Sequence, residues 1–231
     1  MEAHINNFVE SSAMLPLKPF YLIRHGQSTA NVRHITAGGL FDCPLTEKGR
    51  GQPASLAPFL KDAMLPRPAR IYHSTMIRAR DTAQILNEKL ELEMIPDFEL
   101  REHDMGAWDG LPWKDVLPHL NASQSPPGGE TTKQFSDRIL QVLKKIIAPS
   151  DAENPPLVVA HGGLFHAIGF MYEYAMSDIE NCHLHYFEPA PEQALFPWHV
   201  WQFDIEDDKL TRRPAPFNVI SGIEQLTGSD G

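Results

Sequence analysis

Two histidines, His25 and His161, each follow a short apolar run and stand directly before a glycine. Arg24 lies beside the first, Arg78 falls farther along the chain, and carboxyls gather at Glu99, Glu102 and Asp104. Guanidinium forks match phosphate oxygens two at a time, so Arg24 and Arg78 could clamp one phosphoryl group. A neutral imidazole flanked by cations has a depressed pKa and keeps a lone pair for attack. A carboxylic acid can protonate the departing oxygen and later activate a water. Residue type and spacing do not say which of the three carboxyls would do so. An isolated His after a strand is best taken as a surface residue. A second His and a second Arg in similar settings overturn that reading.

Such groups need rigid supports. Phe20 to Ile23 is a run of buried-strand character that changes within one residue to a cation, an imidazole and a glycine. A parallel sheet presents chemistry in this way, at the carboxyl edge of a strand. Leu157 to Ala160 repeats the device ahead of His161, Gly162 and Gly163. Arg70 to His73 and Glu93 to Pro96 predict two more strands, and His183 to Phe187 and Trp198 to Ile205 a further pair. Thr29 to Phe41 is expected to be a polar loop. Thr46 should cap a helix running to about Leu60 with Leu56, Phe59 and Leu60 inward, although Pro53 and Pro58 weigh against it. Ser74 is expected to cap the helix that carries Arg78 in its first turn, where Ala79, Ala83, Leu86 and Leu90 form a core stripe. Thr131 with Gln134 predicts a capping box before a helix with Phe135, Ile139, Val142 and Ile146 inward. A helix from Leu164 to about Met171 completes an alternation that argues a three-layer α/β sandwich.

Composition narrows the function. A net charge of -10 opposes general affinity for nucleic acid, which rests on phosphate neutralisation. An anionic substrate must therefore be held by a local cluster of cations. No apolar run is long enough for a membrane span, and the first residues lack signal-peptide character. The two cysteines, Cys43 and Cys182, suit neither a disulfide framework nor a zinc pattern. The expectation is a cytoplasmic protein with a frayed arm over 1–18 and one domain over 19–231.

The chain resembles the histidine phosphatase superfamily, which includes cofactor-dependent phosphoglycerate mutase. The resemblance is carried in order by Arg24-His25-Gly26 with Ser28 and Asn31, by Leu45-Thr46 with Gly49 and Gln52, and by Ser74 with Arg78, Ala79 and Thr82. Leu100 and Glu102 with Gly106 and Gly110, then Gly129-Glu130, then His161-Gly162-Gly163 complete the series. It implies a phosphoglycerate mutase-like α/β/α sandwich with a mainly parallel sheet. It implies His25 as the nucleophile that becomes phosphohistidine, and Arg24, Arg78 and His161 as ligands of the phosphoryl oxygens. It also selects Glu102 as general acid and then base. Asn31, Ser28, Gly38, Gly39 and Gly162 are expected at the substrate, with Trp108 lining a pocket for a bulky leaving group or else packing a lid. No cofactor and no metal are expected, and the partner is a small phosphorylated molecule.

A mutase would need extra cations near the acid loop, where Lys114 is the one cation between His103 and Glu130. Together with the paired glycine after His161, this favours hydrolysis over phosphotransfer. Gln27 and His166 depart from the family pattern, where Glu and Arg are frequent. A phosphate-binding module without turnover is disfavoured because His25, Glu102 and His161 are all present. A protein phosphatase has no visible docking surface here. His183 and His185, with His199, suggest a metal site, but structural histidines in aromatic surroundings explain them better.

Overall fold

The computed structural model describes residues 14–64, 66–176 and 179–219. Leu15, at the end of the expected arm, is buried and donates its N–H to the Tyr172 hydroxyl; residues 1–13 lie outside the described residues. Strands and helices alternate through the first part of the chain: β1 (Phe20–Arg24), a short α1 (Thr29–Arg33), α2 (Glu47–Ala63), β2 (Arg70–Ser74), α3 (Ile77–Leu90) and β3 (Glu93–Asp97). Two 3₁₀ turns, Phe98–Leu100 and Gly106–Trp108, lead to α4 (Trp113–Asn121) and α5 (Thr132–Ile147). Then come β4 (Pro156–Ala160), α6 (Gly162–Tyr172), β5 (Tyr174–Met176), β6 (Leu184–Pro189), β7 (Trp198–Glu206), β8 (Lys209–Pro214) and β9 (Phe217–Val219).

Seven strands form one sheet in the order β3-β2-β4-β1-β6-β7-β8, while β5 and β9 pair separately. The pairs from β3 through β1 are parallel, and those from β1 through β8 are antiparallel. Because β6 reverses β1 and β7 reverses β6, the strands β3, β2, β4, β1 and β7 share one direction. Strand periodicity divides the core. Phe20, Leu22, Val158 and Ala160 meet α5 and α6, whereas Tyr21, Ile23, Leu157 and Val159 meet α2 and α3. Helix α2 leaves β1 for one face and α6 leaves β4 for the other. A crevice opens where such neighbouring strands send their helices apart.

The expected helices are present. Thr46 accepts the Gly49 N–H, and Thr131 with Gln134 makes the capping box. Helix α2 accommodates both prolines and buries Leu56, Ala57 and Leu60, with Phe59 half-buried. The loop expected from Thr29 instead opens with α1, whose cap is Ser28 and whose box partner is Asn31. Both cysteines are buried and unpaired. No helix among the described residues is long and apolar enough to cross a membrane.

His185 is fully buried, with Phe165 edge-on at 4.9 Å and Phe217 stacked at 5.6 Å between ring centroids. His183 instead lies 3.5 Å from the Glu180 carboxylate, and His199 is exposed. Among the described residues no three His, Cys, Asp or Glu side chains gather as a metal would require. Burial pushes the His185 imidazole down to about 3 from 6.5. Between those values the unfolded chain binds a proton that the folded chain refuses. Stability is therefore full above the unfolded value and falls with pH across that window, by about 1.4 kcal/mol per pH unit for one group. Urea midpoints measured at neutral pH and near pH ~4.5 should lie closer together in His185→Leu than in the parent. An unchanged gap would show that this ring titrates freely in the folded protein.

Candidate active site

Strands β1 and β4 are parallel neighbours with Arg24 opposite Ala160, so the residues after them emerge side by side. The His25 N–H donates to the Ala160 carbonyl at 2.9 Å, and the His25 and His161 rings lie 5.2 Å apart at 65°. Close backbone packing fixes the turn after His25. A Cβ on Gly26 would fall 2.2 Å from the Gly49 carbonyl oxygen, and one on Gly49 would fall 1.9 Å from that of Gln27. The loop and the first turn of α2 interlock only because both residues lack side chains.

His25 is 4% exposed. Its Nδ1 lies 2.7 Å from the Gly26 carbonyl, which can only accept, so Nδ1 carries the proton and the neutral ring leaves its lone pair on Nε2. Burial, then the charges of Arg78 and Arg24, hold this imidazole well below 6.5. His161 is lowered in the same way by burial, Arg78, His25 and Arg24. Its Nε2 lies 2.9 Å from the Ser74 hydroxyl, and its buried Nδ1 has no partner among the described residues.

Arg78 is 1% exposed and donates to the Ala37 carbonyl at 3.0 Å and the Phe41 carbonyl at 3.2 Å, with the Asp42 carboxylate 3.4 Å away. Arg24 donates through Nη1 to the Ile179 carbonyl at 2.6 Å, while its buried Nε lacks a partner among the described residues. Burial lowers the Arg24 pKa, Glu102 opposes that shift and Arg78 adds to it. The two guanidinium groups thus feel each other's charge, and Arg24 also feels that of Glu102. The Glu102 carboxylate accepts the His103 N–H at 2.8 Å and the Gly163 N–H at 3.1 Å. It takes the place of a side-chain cap on α6, because His161 provides none.

Two cations, two neutral imidazoles and one carboxyl therefore meet at the crevice between β1 and β4. Such a cage suits a phosphoryl dianion inside a protein that is acidic overall.

The sequence profile of the histidine phosphatase superfamily (branch 1) matches residues 20–191. The chain belongs to that superfamily.

A metal-independent phosphoserine phosphatase of Arabidopsis thaliana is 31% identical over 161 residues, covering 64% of this chain and 65% of its own length. A glucosyl-3-phosphoglycerate phosphatase of Mycobacterium tuberculosis is 31% identical over 163 residues, covering 64% and 71%. The solved native structure of a mycobacterial glucosyl-3-phosphoglycerate phosphatase superposes with a TM-score of 0.65 at 26% identity, covering 79% of this chain and 96% of that one. The chain is accordingly a histidine phosphatase in the class of phosphoric monoester hydrolases, and its mixed sheet with helices on both faces is the fold of that neighbour.

In this histidine phosphatase the other expected residues hold structural positions around the cage. Ser28 and Asn31 bond each other as the α1 capping box, and Asn31 also lies 3.3 Å from Asn181. Gly38 donates to the Asp109 carboxylate at 2.6 Å, and Gly39 to the His103 carbonyl at 2.8 Å, which ties the loop holding Arg78 to the acid loop. Gly162 packs under Arg24. Trp108 is buried, stacks on His119 at 5.3 Å and clusters with Met105 and Val116.

Ser74 corrects one expectation, since the α3 cap position is Met76 and the Ser74 hydroxyl faces His161. Thr82 and Asn181 carried no assigned role in the sequence. Thr82 accepts the Gly26 N–H at 3.0 Å, and Asn181 donates to the His25 carbonyl at 3.0 Å. Thr82 stood in one of the matching motif blocks, which was the available signal. Asn181 had none.

Proposed function

We propose that this protein hydrolyses a small phosphomonoester through a phosphohistidine on His25, with Glu102 as general acid and then general base. The observation that carries the reading is an imidazole held neutral, with Nδ1 tied down and Nε2 free, between the buried guanidinium of Arg78 and the half-buried one of Arg24. The Nε2 lone pair attacks phosphorus as the bond to the leaving oxygen breaks, and that oxygen takes the proton of Glu102. Water then attacks the phosphoryl group and gives its proton to Glu102, and the P–N electrons return to Nε2. Alcohol and phosphate leave, and both histidines end as they began. Arg24 and Arg78 neutralise charge on the equatorial oxygens, Nδ1 of His161 donates a hydrogen bond to them, and phosphoryl transfer depends mainly on such positioning.

Hydrolysis is favoured over phosphotransfer because Lys114, the one cation in the acid-loop segment, sits exposed on α4. Trp108 packs on Met105 and Val116, so its ring does not itself argue for an apolar leaving group.

A labelled alkyl phosphate, mixed rapidly with enzyme in EDTA and quenched in base, should leave label on the protein. Glu102→Gln should slow turnover by on the order of 10²-fold or more and prolong the labelled species. Full turnover by Glu102→Gln, or a parent that never takes up label, would dismiss this route.

A further inference from the structure

Arg138 touches neither histidine, yet three of its hydrogen bonds converge on the segment that bears Glu102. It projects from α5 beside the buried stripe of Phe135 and Ile139, and its side chain is 9% exposed. Nη1 donates to the carbonyls of Glu99 at 2.6 Å and Arg101 at 3.0 Å, and Nη2 to that of Glu102 at 3.1 Å. Nε and Nη2 also form a two-pronged bond with the Glu130 carboxylate, both at 2.7 Å. Glu130 reaches the same segment from its far side. Its carboxylate accepts the Asp104 N–H at 3.0 Å, its own N–H donates to the Asp104 carbonyl at 2.9 Å, and its carbonyl lies 2.7 Å from His103 Nε2. The His103 ring in turn stacks on Phe135 at 4.7 Å.

Residues 99–104 lie past the end of β3, so their carbonyls have no sheet neighbour to satisfy them. A planar guanidinium can serve several such carbonyls in a fixed geometry, which an ammonium on a flexible stem cannot. We infer that Arg138, locked by Glu130, is the positioning residue for the general acid: it holds the backbone up to Glu102 while its partner Glu130 holds the residues just beyond, so that the carboxyl meets the leaving oxygen. This rests on the reading of Glu102 as the acid.

General-acid assistance matters only when the leaving group needs a proton. The test therefore compares kcat/KM for an alkyl phosphate with that for 2,4-dinitrophenyl phosphate, whose leaving group departs unprotonated. Arg138→Lys, which keeps the charge and loses the fork, should fall on the order of 10²-fold with the alkyl ester and less than about threefold with the aryl ester. Glu130→Gln, which keeps the shape and frees half of the fork, should fall in the same pattern by a smaller factor. Glu102→Gln serves as the reference and should show the steepest contrast. Equal losses on both esters in both clamp variants, or no loss on either ester, would overturn the inference while Glu102→Gln still discriminates. If Glu102→Gln itself fails to discriminate, it is the assignment of the acid that falls. Circular dichroism melts on each variant separate a collapsed fold from a displaced carboxyl, and Glu130→Gln decides should Arg138→Lys not fold.

Discussion

Replacing His25 with alanine should leave a folded protein whose phosphate release is slower by about 10⁴-fold or more. The magnitude follows from the role, because the variant lacks the nitrogen that would attack phosphorus. His161 presents its Nε2 to Ser74. The substitution costs the fold little, since the His25 ring makes one hydrogen bond, to the next residue's carbonyl, and is held neutral. The parent carries the matching pH signature. A protonated imidazole has no lone pair, and Arg78, Arg24 and burial confine protonation to pH well below 6.5. The acid limb of kcat/KM, corrected for the substrate's own ionisation near ~6, should thus fall well below the midpoint of free histidine. A midpoint at the free value, or turnover that survives in His25→Ala, would remove the nucleophile from the scheme.

Gly163→Ala should separate activity from stability. A Cβ there would fall 1.9 Å from Glu102 Oε1 and 3.1 Å from the Phe135 ring. The carboxylate is the end of a flexible side chain and must yield, whereas the backbone of α6 need not. Alanine also suits a helix better than glycine, by up to about 1 kcal/mol. The expected variant melts close to the parent and turns over an alkyl phosphate on the order of 10²-fold more slowly, the cost of a misplaced group. Undiminished turnover with a lowered melting temperature would mean that the carboxyl does not work from this position.

The parts of this arrangement that were legible in the sequence were those with a local cause. Buried strands at Phe20 and Leu157 announce themselves because both faces of a central strand are covered, and the caps at Thr46 and Thr131 because one side chain must reach the third N–H beyond it. The meeting of Ser74 with His161 spans 87 positions and leaves no local trace. Helix α1 is five residues long, too short for a periodic pattern. Strand β8 is rich in exposed polar residues because it closes the edge of the sheet, so it lacks the apolar signal that marked the centre. Glu102 could be told from Glu99 and Asp104 only by resemblance. All three are carboxyls within a few residues, and what separates Glu102 is the N–H of Gly163, supplied by a helix 61 positions away.

The division of the sheet along β1 and β6 has a consequence for how such a chain can change over generations. The groups around the crevice hang from β1, β2 and β4 and from the turns at their ends, and the last tethers to them from this side are Ile179, Asn181 and Cys182. Beyond those tethers, β7 and β8 continue the sheet without touching a reacting atom. That flank answers to the core, through Trp198 and Phe203, and its exposed outer strand β8 can vary without disturbing the chemistry.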